Sequence, residues 1–405
     1  MSHYPKFNRR PRIHPQSKRY NLPINSLEYD DDFNTSSNQS NISTSNNRRT
    51  RAPKLLLAFI TLIILVGAIS KQSPSGQINK IERSKNSTMA KTTSFQKRSA
   101  TTKRYKHIIQ DSKGKHFMKG KAVEIIGNFT NFADVTSPMK SSDVAFFWHI
   151  PRSGGSTVKH ITAECLGLTQ ASEVGTVGGH IEDDELVAVH HIEGGKFVNV
   201  DTSTIAGLER ARLMNLTSFP KLHIITSPFL IKASELFNEE HNGRVFFFLR
   251  HPVERAVSMY YHLNANDPDG NILDGKSLEQ YAKSPLVENN WMTRFLSNQL
   301  GGELTEDHEA IAREFLRRKC LIGLLSHKAT SMERFERYFG WRIVGQKMEH
   351  CQDQLLNWNW PSKNKHPRLK EGGVVWRSLE DNNAFDLRLY HYAHELFQEQ
   401  SVLFQ

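Results

Sequence analysis

Hydrophobic positions are scarce over the first 140 residues, with one exception. The run KLLLAFITLIILVGAIS, Lys54 to Ser70, carries no charge after its first residue. Residues 1–53 are rich in Asn, Ser and Arg without an apolar period, a composition that stays disordered. Residues 71–140 are rich in Ser, Thr and Lys and read as a stem or linker, with an ordered lead-in from about Lys121. Beyond them the pattern becomes regular. VAFFWHI (144–150), KLHIITS (221–227) and RVFFFLR (244–250) are buried-strand runs. Each is followed by a helical segment: STVKHITAECLG, IKASELFNEE, and PVERAVSMYYHL with Pro252 in its first turn. From about residue 277 the pattern is mostly helical, ending in AFDLRLYHYAHELFQEQ. Strands alternating with helices predict an α/β domain over 141–405, a central parallel sheet flanked by helices with a helical C-terminal part.

The apolar run at 54–70 is short against the ~20 residues of an ordinary span, but internal membranes are thinner. A core helix has no core to join here, because both flanks look unfoldable. A cleaved signal peptide would follow an unusually long leader, although Ala68-Ile69-Ser70 has small residues at suitable spacing. An uncleaved signal-anchor fits best. Arg48, Arg49, Arg51 and Lys54 crowd its N-terminal edge, which favours a cytosolic N-terminus and a luminal domain. Sequons at Asn86, Asn128 and Asn215 are compatible with that orientation.

The formal charge of +11 misleads about the folded part. Residues 1–54 carry 10 Lys/Arg against 4 Asp/Glu and residues 71–140 carry 15 against 4, whereas residues 141–405 carry 28 against 34. The basic character belongs to solvated flanks, and no basic and aromatic stripe marks the domain for nucleic acid. Cys165, Cys320 and Cys351 are too few for a disulfide framework and match no metal spacing. In an oxidising lumen one pair can form, and the expected one is Cys320–Cys351; three buried thiols are the alternative.

The candidate chemistry starts where the first strand stops. Pro151-Arg152-Ser153-Gly154-Gly155-Ser156-Thr157 stands between an apolar strand and a helix. Glycines let the backbone approach an anion, and the N–H groups at the helix start supply positive potential. Hydroxyls of Ser153, Ser156 and Thr157 can donate, and Arg152 adds a permanent charge. The ATP-type loop G-x-x-x-x-G-K-[ST] is absent, which counts against a kinase or ATPase. A plain glycine turn is the structural alternative. The segment Leu249-Arg250-His251-Pro252-Val253-Glu254-Arg255-Ala256-Val257-Ser258 repeats the grammar. Arg250 ends a strand, Pro252 opens a helix, and Ser258 lies about two turns along it. Two such units side by side would suit a ligand with phosphates at both ends.

Those two stretches resemble the 5′-phosphosulfate loop and the 3′-phosphate motif of sulfotransferases. The chain is similar to the membrane-anchored carbohydrate sulfotransferases, especially the heparan sulfate 6-O- and 2-O-sulfotransferases, with loops like H-x-[QP]-K-T-G-G-T-[TS] and L-R-D-P-[VI]-x-R-x-x-S. Three further stretches continue the resemblance in order: Glu288-Asn289-Asn290 through Arg294, Cys320 through Phe339, and Asn383 through Phe397. The resemblance covers about residues 144–400. It implies a P-loop-like three-layer sulfotransferase fold and a single-pass type II Golgi membrane protein. The implied activity is transfer of a sulfuryl group from 3′-phosphoadenosine 5′-phosphosulfate (PAPS) to a hydroxyl of a glycan or polysaccharide, without a metal. Tyrosine on a protein is the alternative acceptor, and a catalytically inactive lectin-like or nucleotide-binding module is the alternative from another class.

By the same resemblance Arg152 and residues Ser153, Gly154, Gly155, Ser156 and Thr157 bind the 5′ end, while Arg250 and Ser258 bind the 3′-phosphate. Arg152 stands where the family has Lys, so it keeps the charge but cannot give up a proton. His251 replaces the family's Asp, at a position not expected to touch the ligand. The acceptor hydroxyl needs a base. His223 matches the first His of a His-x-His-x-Ser run and is the candidate, a hydrogen-bonded strand-end His being the bland alternative. Rivals are His149, His180, His190, His191 and Glu182. Phe146, Phe147 and Phe246–Phe248 are expected in the core, Trp291 in the core or at substrate, and Arg294 at ligand or solvent. The basic loop 363–368 is expected either to close over the nucleotide, as late loops of this family do, or to be solvated.

Overall fold

A computed structural model describes residues 129–404 except 192, 193, 268, 269, 271, 344 and 358–365. The tail, the apolar run at 54–70 and most of the stem lie outside the described residues. Among the described residues no helix is long and apolar enough to cross a membrane.

Seven strands form one sheet: β1 Val144–Trp148, β2 Thr169–Ala171, β3 Ala188–His190, β4 Lys196–Val198, β5 Ile224–Ser227, β6 Gly243–Leu249 and β7 Cys320–Leu324. Their order is β3-β4-β2-β5-β1-β6-β7, parallel throughout except for the antiparallel β3–β4 edge. Side chains alternate between the two faces, as strand geometry requires. Phe146 and Trp148 of β1 join Val245, Phe247 and Leu249 of β6 and Ile322 of β7 in one core. Ala145 and Phe147 join Phe246, Phe248 and Leu321 in the other. Both faces are buried, so these strands read as continuous apolar runs. The Phe146, Phe147 and Phe246–Phe248 rings are all buried, as expected.

Helices cover both faces. The first core is closed by α2 (Ile205–Leu213), α3 (Leu230–Ser234), α6 (Trp291–Ser297), α7 (Glu306–Lys319) and α11 (Ala384–Glu399). The second is closed by α1 (Gly155–His160) with the π-helical turn Ile161–Cys165 that extends it, by α8 (Lys328–Phe339) and by α9 (Gln346–Asn357). A third cluster packs α4 (Pro252–Asn266) on α5 (Leu278–Ala282) and α10 (Val374–Asn382). This is the expected α/β architecture, a mostly parallel sheet between helices with a helical C-terminal part.

Several details depart from expectation. Cys320–Leu324 is a buried strand paired with β6, not part of the helical tail. The lead-in also belongs to the fold: Phe129, Phe132 and Val135 are buried, and Phe132 bridges to Gly243. Residues 129–140 are the described part of the ordered lead-in expected before residue 141. The disulfide joins Cys165 to Cys351, whereas Cys320 is a buried free thiol in β7. The expected Cys320–Cys351 pair is wrong because β7 seats Cys320 in the first core and Cys351 packs on the second.

The later stretches lock to one another. Asp386 of α11 accepts from Met292 N, Thr293 N and Thr293 Oγ1 at 2.9, 2.8 and 2.7 Å, placing a carboxylate on the α6 N-terminus. In return Asn290 Oδ1 accepts from Phe385 N and Asp386 N. Trp291 stacks between Trp148 and Phe295 in the core. Arg294 donates to the carbonyls of Asn289, Gln299 and Gly302, so it braces a loop.

Candidate functional site

Parallel strands deliver their C-terminal ends to one edge, and the loop after β1 occupies it. His149 N donates to Ser227 O at 3.0 Å, which carries the β1–β5 ladder one step past the strand. The chain then turns sharply. Arg152 has φ 62° and Gly154 φ 87°, both left-handed, and a non-glycine residue there is strained. Gly155 opens α1, and a Cβ on it would lie 2.0 Å from the His149 ring. Only a glycine lets the ring and the helix start share that space. Ser153 is 1% exposed, and its Oγ has no hydrogen-bond partner among the described residues. A buried hydroxyl left unsatisfied costs about 1–3 kcal/mol, so it points to a group the loop is shaped to receive. Ser156 and Thr157 are half-buried on the first turn of α1.

The second motif meets the first. Arg152 Nε donates to Ser258 Oγ at 3.2 Å, and Arg152 Nη1 lies 3.4 Å from His262 Nδ1. Arg250 Nη1 donates to the Arg152 carbonyl at 3.2 Å, and its Nε lies 3.6 Å from Glu254. Arg152, Arg250 and Ser258 therefore form one cluster between β1 and β6. Both arginine side chains come from turns after parallel strands, and Ser258 comes from the buried face of α4. His366 from the late loop stacks on Tyr261 at 5.0 Å. Burial, then the charges of Arg250 and Arg152, hold its pKa below the ordinary value. That end of the 363–368 loop thus reaches the cluster; Lys363, Asn364 and Lys365 lie outside the described residues. His251 turns away, stacked on Trp376 at 5.2 Å and edge-on to Tyr390.

His223 is not brought to the loops. It precedes β5, whose register pairs Ile224 with Ala145 and Ser227 with Trp148, so it sits at the opposite end of the sheet. Its Nδ1 accepts from Thr169 N at 3.1 Å, and burial lowers its pKa. The residue that β5 presents beside the loop is Ser227, whose Oγ accepts from Phe229 N. Of the rivals, only His149 lies in the loop. His180 bonds Asp183, Glu182 is exposed beside it, and His190 and His191 lie at the β3 edge, His191 edge-on to Phe197.

Two carboxylates at this edge escaped the sequence reading. Glu173 follows β2 and ion-pairs with Lys159 of α1, both side chains nearly buried. Burial alone would raise Glu173; the Lys159 ammonium and, further off, His149 outweigh it and leave the pKa lowered. Asp201 follows β4 and accepts from Ser203 N and Oγ. Burial, with the Glu173 charge added, raises its pKa. Thr202 ties this segment to the edge by donating to the carbonyls of Ala171 and Thr226. The strands that carry both acids are three residues long, too short for a periodic signal. Among the described residues no group of three or more His, Cys, Asp or Glu is placed to hold a metal ion.

No protein-family model and no curated protein matches the sequence. Among solved structures the chain resembles mouse sulfotransferase SULT7A1 complexed with PAP, at 18% identity and a TM-score of 0.28, over 70% of this chain and 91% of that one. A likeness that loose assigns neither fold nor activity.

Proposed function

We propose that this chain is a PAPS-dependent sulfotransferase acting on a hydroxyl of a glycan or polysaccharide, held in the Golgi membrane with its domain in the lumen. The observation that carries the reading is the convergence of Arg152, Arg250 and Ser258. It joins a glycine-rich loop with an unsatisfied buried Ser153 hydroxyl to a second cationic site one strand away. Two arginines meeting at a glycine-rich loop suit a multiply phosphorylated nucleotide. The motifs at 149–157 and 249–258 add their resemblance to the two phosphate sites of that family. The Cys165–Cys351 bond supports an oxidising compartment.

The residues present fit the nucleotide. The backbone N–H groups at 154–157 and the Ser153, Ser156 and Thr157 hydroxyls would hold the 5′ end; Arg250 and Ser258 would hold the 3′-phosphate. Bound PAPS supplies the sulfuryl group and a phosphate leaving group. The Arg152 guanidinium would counter negative charge on the leaving oxygen. Asp201 and Glu173 stand on the far side of β1 from Arg250; Glu173 stays paired with Lys159, so Asp201, whose pKa burial raises, would accept the acceptor proton in place of His223. Positioning does the rest, as in phosphoryl transfer.

The test is transfer of labelled sulfate from PAPS by the full chain to a panel of desulfated glycans, with a tyrosine peptide included. Label on a glycan hydroxyl supports the reading, and label on the peptide moves the acceptor to protein. Binding of 3′-phosphoadenosine 5′-phosphate (PAP) without transfer to any member would favour the inactive module. No PAP binding by folded protein would overturn the reading.

A further inference from the structure

The Cys165–Cys351 disulfide spans 186 residues of sequence and ends on the helix of the phosphate loop. Cys165 is the last residue of the π-helical turn that extends α1, and it is buried. Cys351 lies midway along α9. That helix is thinly held otherwise: of its 12 residues only Gln352 and Leu356 are buried, with Leu355 packed partly against the second core. Gln352 Nε2 donates to Glu336 at 2.8 Å. From α9 the chain continues to His366, which lies on Tyr261 beside Arg152 and Arg250. One covalent bond therefore fixes a weakly packed helix against the element that presents Ser153 to Thr157.

We propose that the Cys165–Cys351 disulfide is a redox latch on the nucleotide site. Oxidised, it holds α9 on α1 and keeps the loop in its binding geometry. Reduced, α9 loosens and affinity for PAP falls, while the sheet and its two cores persist. The ligand in this inference rests on the sulfuryl-transfer reading; the mechanical coupling does not. Reduction breaks one S–S bond and takes up two electrons and two protons to give two thiols. A dithiol supplies them and closes to its own cyclic disulfide. Cys320 takes no part: it is sealed in β7, and burial pushes its thiol pKa well up, so it offers little thiolate for exchange. The cores survive because β1, β6 and β7 pack on helices other than α9 over most of both faces.

The experiment compares the full chain before and after dithiothreitol, with thiols counted by mass spectrometry. PAP is titrated calorimetrically, near-ultraviolet circular dichroism reports the core, and amide exchange is followed over 155–165 and 346–357. The expected result is a Kd raised by about tenfold or more on reduction, faster exchange in those two segments and an unchanged circular dichroism spectrum. Cys351→Ser should show the weak Kd at the outset and lose its response to dithiothreitol; Cys320→Ala should respond like wild type. An unchanged Kd with both thiols freed overturns the latch. So does collapse of the spectrum on reduction, which would make the bond a staple of the whole fold. If the oxidised chain binds no PAP, the functional reading fails and the exchange data alone decide: equal exchange in both states overturns the latch.

Discussion

The Arg152 guanidinium reaches Ser258 Oγ at 3.2 Å across 106 residues of sequence. That contact makes two local motifs into one site. It also places a cationic side chain between the loop after β1 and the buried face of α4.

Gly155 is expected to tolerate no side chain. A Cβ there meets His149 Cδ2 and Nε2 at 2.0 Å, and both the ring and the strand behind it are buried. Gly155→Ala should cost about 1–3 kcal/mol through overpacking and abolish PAP binding, read by thermal melts and titration. Gly301→Ala, where nothing lies within 4 Å, is the control and should leave both unchanged.

His223→Ala should leave sulfate transfer within about twofold of wild type, because its ring bonds Thr169 at the far end of β5. Asp201→Asn should retain PAP binding and lose transfer by about 100-fold or more, the scale of a lost general base. A large loss of transfer in His223→Ala with Asp201→Asn active would reverse these assignments.

Arg244 is a structural cation. Nearly buried, it pairs with the fully buried Asp143 at 2.6 Å and donates to the carbonyls of Asp134, Ser137 and Pro138. Arg244→Ala strands that carboxylate and should cost about 3–5 kcal/mol, measured by denaturant unfolding of the full chain.

Glu336 supplies a pH signature. Burial raises its pKa from 4.5 to about 7, against the opposing bond from Gln352. The folded state thus favours its protonated form. The stability this gives is fully present below the unfolded value near 4.5 and is lost as pH rises through about 7. Because the group is partly exposed, the effect is discounted to about 1–2 kcal/mol. Glu336→Gln should therefore be more stable than wild type at pH 8 and equal to it near pH 4. A constant difference in melting temperature across that range would contradict the assignment.

Much of this was legible in the sequence. The runs at 144–150, 221–227 and 244–250 are long, apolar and followed by helix signals, so β1, β5 and β6 announced themselves. The loop and the Arg250–Ser258 spacing were readable because glycines, hydroxyls and arginines have few other reasons to stand in that order. What escaped is short or non-local. β2 and β4 are three residues each, so Glu173 and Asp201 had no strand to place them. β7 hid among helices because its Cys320–Leu324 run is no longer than one turn and a half of helix would need. His223 follows the other reading open to it, a hydrogen-bonded His at a strand end, because β5 begins just after it and carries only Ile224–Ser227 to the loop edge. The Cys165 partner depended on where α9 lands, which no local pattern states.

The most direct test of the two-phosphate site is a titration cycle with two ligands. Wild type and Arg250→Ala are each titrated with PAP and with adenosine 5′-monophosphate, which lacks the 3′-phosphate. Wild type should prefer PAP by about 100-fold or more, and Arg250→Ala should remove most of that preference while binding the monophosphate as wild type does. Equal affinity of wild type for the two ligands, or a preference untouched by Arg250→Ala, would contradict the two-phosphate site.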